Sequence, residues 1–161
     1  MKGNRIKRVL IANRGEIAVR IIRACREMGI TSVAICSDID KEAMHAQLAD
    51  ECICIGSYKL KDSYLNMERI LSAAIAADVD AIHPGFGFLS ENSQFAKLCE
   101  ACHITFIGPD SDIIARLGNK AVARQTMVDA GVPVIPGCQK ALTDVKEALE
   151  EMNIDLNVIE D

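Results

Sequence analysis

Tryptophan is absent from this 161-residue chain and aromatic residues make up only 4% of it. There is little here with which to build a base-stacking surface for nucleic acid. Positive charge is also scarce: 18 Lys and Arg against 23 Asp and Glu leave a formal net charge of −5. That balance gives no electrostatic footprint for nucleic acid or for an anionic membrane. Long apolar runs are missing too. The basic opening, Met1 to Arg8, leads into an apolar run of only Val9-Leu10-Ile11-Ala12 before Asn13-Arg14. A secretory signal needs a longer apolar core, and no segment approaches the roughly 20 apolar residues of a membrane span. A cytoplasmic protein is expected, with its seven cysteines reduced. An odd cysteine count implies no disulfide framework. No P-loop, no nucleophile elbow and no Asp/Glu/His cluster with metal-ligand spacing occurs.

One cysteine pattern is present. Cys99-Glu100-Ala101-Cys102-His103 fits C-x-x-C-H, the c-type haem attachment motif. Covalent haem attachment requires export, so the expectation is instead a helix carrying Cys99 and Cys102 into a buried strand. Cys52-Ile53-Cys54 reads as half of an alternating strand.

Half of the residues are hydrophobic, enough for a packed globule. The length suits one domain, or one domain with a fragment of a second. Strand and helix signals alternate. Strands are predicted over 5–12, 32–36, 51–55, 80–83 and 105–107. Helices are predicted over 16–28 with Gly29 closing it, about 41–48 with Asp40 as cap, from Ser63 or Asn66 to about 77, from Asn92 or Ser93 to 102, 111–117 and 120–130. Short connections between alternating elements mean βαβ units, right-handed crossovers and a parallel sheet. The polar and glycine-rich turns, Asn13-Arg14-Gly15-Glu16, Ser37-Asp38-Ile39-Asp40, His83 to Phe88 and Gly108-Pro109-Asp110-Ser111, all follow strands. They should crowd the carboxyl edge of the sheet, where open α/β sheets place ligands.

Beyond Gly118 the character changes. Gly131-Val132-Pro133-Val134-Ile135-Pro136-Gly137 suits a hinge or linker. A helix is expected over about 145–152, and 153–161 could form a strand, as if the chain stopped inside an element of a second domain.

Candidate residues each read two ways. Gly85-Phe86-Gly87-Phe88-Leu89-Ser90 imitates half of G-x-G-x-x-G, yet follows the fourth strand, not the first, and lacks the third glycine. It is either a ligand loop or a tight turn with two aromatics packed beneath. Glu16, Arg20, Arg23 and Glu27 share one face of the first helix, opposite a core face of Ile17, Ile21 and Cys25. The stripe is either a solvated surface or a subunit contact. Lys120 falls in the first turn of a helix capped by Asn119. It either binds a phosphate there or is simply an exposed lysine. His83, before Pro84 at a strand end, is either a base or, more simply, a residue orienting the loop.

These residues resemble a known family. Val9-Leu10-Ile11-Ala12-Asn13-Arg14-Gly15-Glu16-Ile17-Ala18 resembles the opening of biotin carboxylases, as do Ala81-Ile82-His83-Pro84-Gly85-Phe86-Gly87-Phe88-Leu89-Ser90-Glu91-Asn92 and Phe106-Ile107-Gly108-Pro109. Asn119-Lys120 and Ala130 to Gly137 continue the resemblance in order, over about 5–138. It is most similar to the biotin carboxylase subunit of bacterial acetyl-CoA carboxylase. Pyruvate, propionyl-CoA and methylcrotonyl-CoA carboxylases share this opening.

The resemblance implies a Rossmann-like, pre-ATP-grasp domain over 1–114, followed by a helical linker and the truncated start of an ATP-grasp domain over 115–161. It implies ATP- and bicarbonate-dependent carboxylation of biotin on a carrier protein, in fatty acid synthesis if the acetyl-CoA enzyme is meant. Mg2+ or Mn2+ serves the phosphates. Partners would be a biotin carboxyl carrier protein, carboxyltransferase subunits and a second copy of the chain.

By position, Lys120 resembles an ATP-contacting lysine. Gly85, Phe86 and Gly87 resemble the wall of the biotin site. Arg20, Arg23 and Glu27 resemble a homodimer contact. No catalytic or metal-binding residue is carried over, and Phe86 stands where the family often has tyrosine. The match fades past Lys140, so the chain alone is expected to be inactive. Two other readings remain: a nucleotide-binding Rossmann module of an oxidoreductase, and a non-catalytic fragment that dimerises through the first helix.

Overall fold

The computed structural model describes residues 6–135. Its centre is a five-stranded, wholly parallel sheet in the order β3-β2-β1-β4-β5. The strands are β1 (Arg8–Ile11), β2 (Thr31–Ser37), β3 (Glu51–Gly56), β4 (Ala81–His83) and β5 (Thr105–Phe106). The helices are α1 (Gly15–Met28), α2 (Met44–Leu48), α3 (Met67–Ala76), α4 (Ser93–Ala101), α5 (Ser111–Gly118) and α6 (Lys120–Asp129). The Rossmann-like α/β expectation is met. Parallel pairing follows from the helical crossovers, since each strand must be re-entered from the same end.

Period-two alternation sorts the strand residues onto the two faces. Leu10, Val33, Ile35 and Ile82 pack into one cluster with Tyr64, Ile70, Ala74, Phe95 and Cys99, under α3 and α4. Val9, Ile11 and Ala81 pack into the other with Ala18, Ile22 and Cys25 of α1. Leu10, Ile11, Val33, Ile35 and Ile82 are fully buried, each contributing about 1.5–3 kcal/mol of apolar burial.

Several boundaries differ from expectation for local reasons. β1 begins at Arg8, where the Asp80 carboxylate takes the amides of Lys7 (2.7 Å) and Arg8 (2.9 Å); the expected start at residue 5 lies outside the described residues. α2 starts only at Met44, with Ala43 at its N-cap. Asp40 is not its cap, since its carboxylate is held elsewhere, as described below. Asn66 and Asn92 cap α3 and α4 by accepting from the amides of Arg69 and Phe95. α1 buries Ala18, Val19, Ile22 and Cys25, so its core face is turned from the expected one and Ile17 and Ile21 are only half-buried.

The contacts divide the chain into two units, Met1–Ala115 and Arg116–Asp161. Within the second, Asn119 caps α6 by accepting from the amides of Ala121 and Val122. The expected helix over 145–152, the expected strand over 153–161 and the Pro136-Gly137 end of the linker lie outside the described residues.

Two carboxylates staple the amino edge of the sheet. Asp80 holds the entry to β1, and Asp50 accepts from the amide (2.8 Å) and hydroxyl (2.7 Å) of Ser32 on β2. Backbone hydrogen bonds from Lys7 and Arg8 hold the Asp80 carboxyl below its usual range, and bonds from Ser32 do the same for Asp50. A folded-state pKa below the unfolded one adds stability that is complete above about pH 4. It is lost as pH falls through the folded value. The urea midpoint should therefore drop on acidification from neutrality to below about pH 4. Asp80→Asn should flatten that dependence, and a midpoint insensitive to acid would contradict the staple.

Candidate functional site

The strand order reverses direction between β1 and β4. β2 and β3 lie to one side of β1, and β4 and β5 to the other. The turns after β1 and β4 therefore flank this switch point at the carboxyl edge, the position where such sheets bind ligands.

Asn13 joins those two turns. It leaves the end of β1 and is 3% exposed. Its Nδ2 donates to the carbonyls of Pro84 (2.8 Å) and Phe86 (2.9 Å), and its Oδ1 accepts from the amide of Arg14 (2.9 Å). One side chain thereby uses its donors across the gap and its acceptor on its own turn, as a buried amide must. The Gly85 amide donates to Nδ1 of His83 (3.0 Å), so His83 orients the loop.

Gly85 (φ +68°), Gly87 (φ +71°) and Phe88 (φ 45°) all occupy the left-handed region. At Gly85 a side chain is excluded twice, by this φ and by space: a Cβ would sit 2.6 Å from Asn13 Nδ2 and 2.8 Å from Ile17 Cγ2. Phe88, with a side chain in an unfavourable φ, is compensated by stacking on Tyr64 at 5.3 Å between centroids. Phe86 projects outward, 77% exposed. The expectation of two aromatics beneath the turn is thus met by Phe88 alone.

A polar network braces the adjoining turn after β2. Asp40 Oδ2 accepts from the hydroxyls of Ser37 (2.7 Å) and Tyr64 (2.7 Å), with Arg14 Nη1 at 3.5 Å. Tyr64 OH in turn accepts from the Ser37 amide (3.1 Å). The Arg14 guanidinium lies over the rings of Tyr64 (5.3 Å) and Phe88 (5.8 Å). Burial pushes the Asp40 carboxyl upward, but the Ser37 and Tyr64 hydroxyls and Arg14 outweigh it, and its pKa is lowered. Burial, then the bond to Asp40, raises the Tyr64 phenol. His45, also buried, has its pKa lowered by desolvation; its ring nitrogen Nε2 lies 3.3 Å from the Ile35 carbonyl.

Sequence reasoning missed Tyr64 and His45, and assigned Asp40 a different task. The available signal was composition: a tyrosine as buried as Tyr64 requires a polar partner for its hydroxyl.

Arg20, Arg23 and Glu27 lie together on the exposed face of α1, with Arg20 3.7 Å from Glu16. Beside Arg20 runs an apolar groove of about 420 Å³, lined in part by Ile6, Ile21, Ala24, Met28 and Ile30. Lys120 is exposed at the first position of α6 and belongs to the second unit. Cys99 is fully buried in the core, where desolvation pushes its thiol up to about 12, which suits packing and not haem attachment. Among the described residues no group of three or more His, Cys, Asp or Glu could hold a metal ion, and no helix is long and apolar enough to cross a membrane.

Residues 5–114 match the family model described as biotin carboxylase, N-terminal domain. The chain is 57% identical over 148 residues to biotin carboxylase 1 of Bacillus subtilis (strain 168), covering 92% of this chain and 33% of that protein. It resembles the biotin carboxylase domain dimer of Hydrogenobacter thermophilus 2-oxoglutarate carboxylase, solved with MgADP, ADP and bicarbonate. There the TM-score is 0.87 at 51% identity, over 92% of this chain and 32% of that one. It also resembles the biotin carboxylase subunit of a pyruvate carboxylase, with a TM-score of 0.80 at 50% identity, over 92% of this chain and 33% of that one. The chain spans about a third of the length of these relatives.

Proposed function

We propose, from the premise that this chain belongs to the biotin carboxylase N-terminal domain family, that it is the first part of an enzyme carboxylating carrier-bound biotin with ATP and bicarbonate. The observation carrying this is the Asn13 side chain, which leaves the end of β1 and bonds to both Pro84 and Phe86 in the turn after β4. It unites the two family motifs into one rim, and turns at opposite ends of the molecule would have been incompatible with that activity.

In the family's reaction ATP activates bicarbonate, and the carboxyl group passes to a ureido nitrogen of biotin. This chain's share is positional. Gly85 and Gly87 let backbone approach a ligand closely, and Phe86 offers an exposed ring at the rim. Lys120, at a helix start, pairs its ammonium with a nucleotide phosphate. The Mg2+ or Mn2+ that would serve the phosphates is assigned to the full-length enzyme, since among the described residues no group of three or more His, Cys, Asp or Glu could hold a metal ion. We place the domain boundary at 114/115, with 115–161 as a helical linker and the truncated start of an ATP-grasp domain, a reading supported by the division of contacts after Ala115.

The finer assignment is to the cytoplasmic biotin carboxylase subunit of acetyl-CoA carboxylase, working with a biotin carboxyl carrier protein and carboxyltransferase subunits. Names among the relatives extend to 2-oxoglutarate and pyruvate carboxylases, and the acyl acceptor is chosen by another subunit or domain.

The chain alone should show no bicarbonate-dependent ATP hydrolysis above a blank. Residues 1–135 grafted onto the remainder of the Bacillus subtilis biotin carboxylase 1 sequence should restore ADP release that requires both biotin and bicarbonate. A folded chimera without that dependence would end the proposal.

Arg20, Arg23 and Glu27 are proposed as a homodimer contact, supported by their shared exposed face and the apolar groove beside it. Sedimentation of the chimera should show a dimer that Arg20→Glu with Arg23→Glu converts to monomer. A double variant sedimenting unchanged would remove this contact.

A further inference from the structure

The bond between the Gly85 amide and His83 constrains the chemistry of the imidazole. Gly85 N–H donates to Nδ1 at 3.0 Å, so Nδ1 must be an unprotonated acceptor and the ring proton must reside on Nε2. A doubly protonated ring would place N–H against N–H. Two independent features make this bond decisive for the turn. Gly85 sits at φ +68° with Asn13 and Ile17 so close that no side chain could be accommodated. Asn13 holds the carbonyls on either side of it, of Pro84 and Phe86. Between those carbonyls, the Gly85 amide is held by His83.

We propose that His83 is a positioning residue for the Gly85-Phe86-Gly87 turn: neutral, it locks the turn through the Gly85 amide, and protonated, it releases it. The role assigned to the turn, one wall of the biotin site, rests on the proposed function above. The switching of the turn itself does not.

The surroundings favour the locked state at neutral pH. His83 ends β4 and lines the groove beside α1. There Val9 of β1, Ile21 of α1 and Ile107 beyond β5 face it, and Arg20 is the charged side chain of that lining. Glu16 is engaged with Arg20 at 3.7 Å. Burial lowers the His83 pKa, so the neutral ring is favoured and release comes only below the ordinary histidine range of about 6.5. The folded pKa lies below the unfolded one. The lock is therefore intact above that range and is lost as pH falls through the folded value.

The test uses the isotopically labelled chain and nuclear magnetic resonance. At neutral pH, His83 should show a protonated Nε2 and a bare Nδ1. On acidification the Gly85, Phe86 and Gly87 amides should shift with the His83 ring, sharing one midpoint below about 6.5. His83→Asn places an amide oxygen near the position of Nδ1 but cannot titrate, so the turn should persist and lose its pH response. His83→Gln carries its oxygen too far out, and its Gly85 amide should exchange faster by about tenfold even at neutral pH. Turn amides that stay fixed while His83 titrates would overturn the proposal, as would collapse of the turn in His83→Asn.

In the chimera, His83→Gln should raise KM for biotin by about tenfold with kcat less affected, and His83→Asn should restore it. A wild-type chimera without biotin-dependent ADP release would defeat the enzymatic assignment and leave the turn titration standing. An active chimera whose turn ignores His83 would defeat only the switch.

Discussion

Gly85→Ala should destabilise the fold by about 3 kcal/mol, through two costs that add. Holding an alanine at φ +68° costs about 1–2 kcal/mol in the left-handed region. The new methyl would also lie 2.6 Å from Asn13 Nδ2 and 2.8 Å from Ile17 Cγ2. Asn13 cannot give way freely, because its amide holds the Pro84 and Phe86 carbonyls, and stranding such groups costs about 1–3 kcal/mol. Gly15→Ala isolates the first cost: Gly15 has φ +60° with nothing within 4 Å of its Cβ position. In urea unfolding Gly15→Ala should lose only about 1–2 kcal/mol. Near-equal losses for the two variants would mean that Asn13 does not press on Gly85. In the chimera, Gly85→Ala should also weaken biotin-dependent turnover, because it displaces the rim and not merely the core.

The parallel sheet was legible in the sequence because β1, β2 and β4 are short apolar runs ended by polar turns, and that pattern leaves few alternatives. The meeting of the Asn13 and Gly85 turns was legible for the same reason: both follow strands, and parallel strands deliver their exits to one edge. The face of α1 was misjudged by one position along the helix. Ile17 and Ile21 are as apolar as Ile22, and only the packing of Ala18 and Ile22 against Val9 and Ile11 decides which are covered. Asp40 was misassigned because its spacing suits a helix cap, whereas besides nearby Ser37 its partners, Tyr64 and Arg14, lie 24 residues ahead and 26 behind in the chain. Long-range polar pairs of this kind leave no periodic trace. Tyr64 had no motif at all, although it is among the largest fully buried side chains.

That missed tyrosine yields the other large expected effect. Tyr64→Ala should cost about 4 kcal/mol, the range for truncating a buried aromatic, and the loss should divide into separable parts. Tyr64→Phe keeps the ring, its 5.3 Å stack on Phe88 and its place beneath Arg14. It strands only the Ser37 amide and one lone pair of Asp40, and so should lose about 1–2 kcal/mol. The larger remainder belongs to the ring. Phe88 stays at φ 45° while a stacked partner offsets the strain, and it directly follows Gly87 in the rim. Tyr64→Ala should therefore shift the amide resonances of Gly85 and Gly87, whereas Tyr64→Phe should leave them in place. Asp40 supplies a further check: without the tyrosine hydroxyl its carboxyl loses one of the bonds holding its pKa down, so it should titrate higher in both variants. If Tyr64→Phe proved as costly as Tyr64→Ala, the hydroxyl network would carry the turn, and the ring stack would be incidental to the rim.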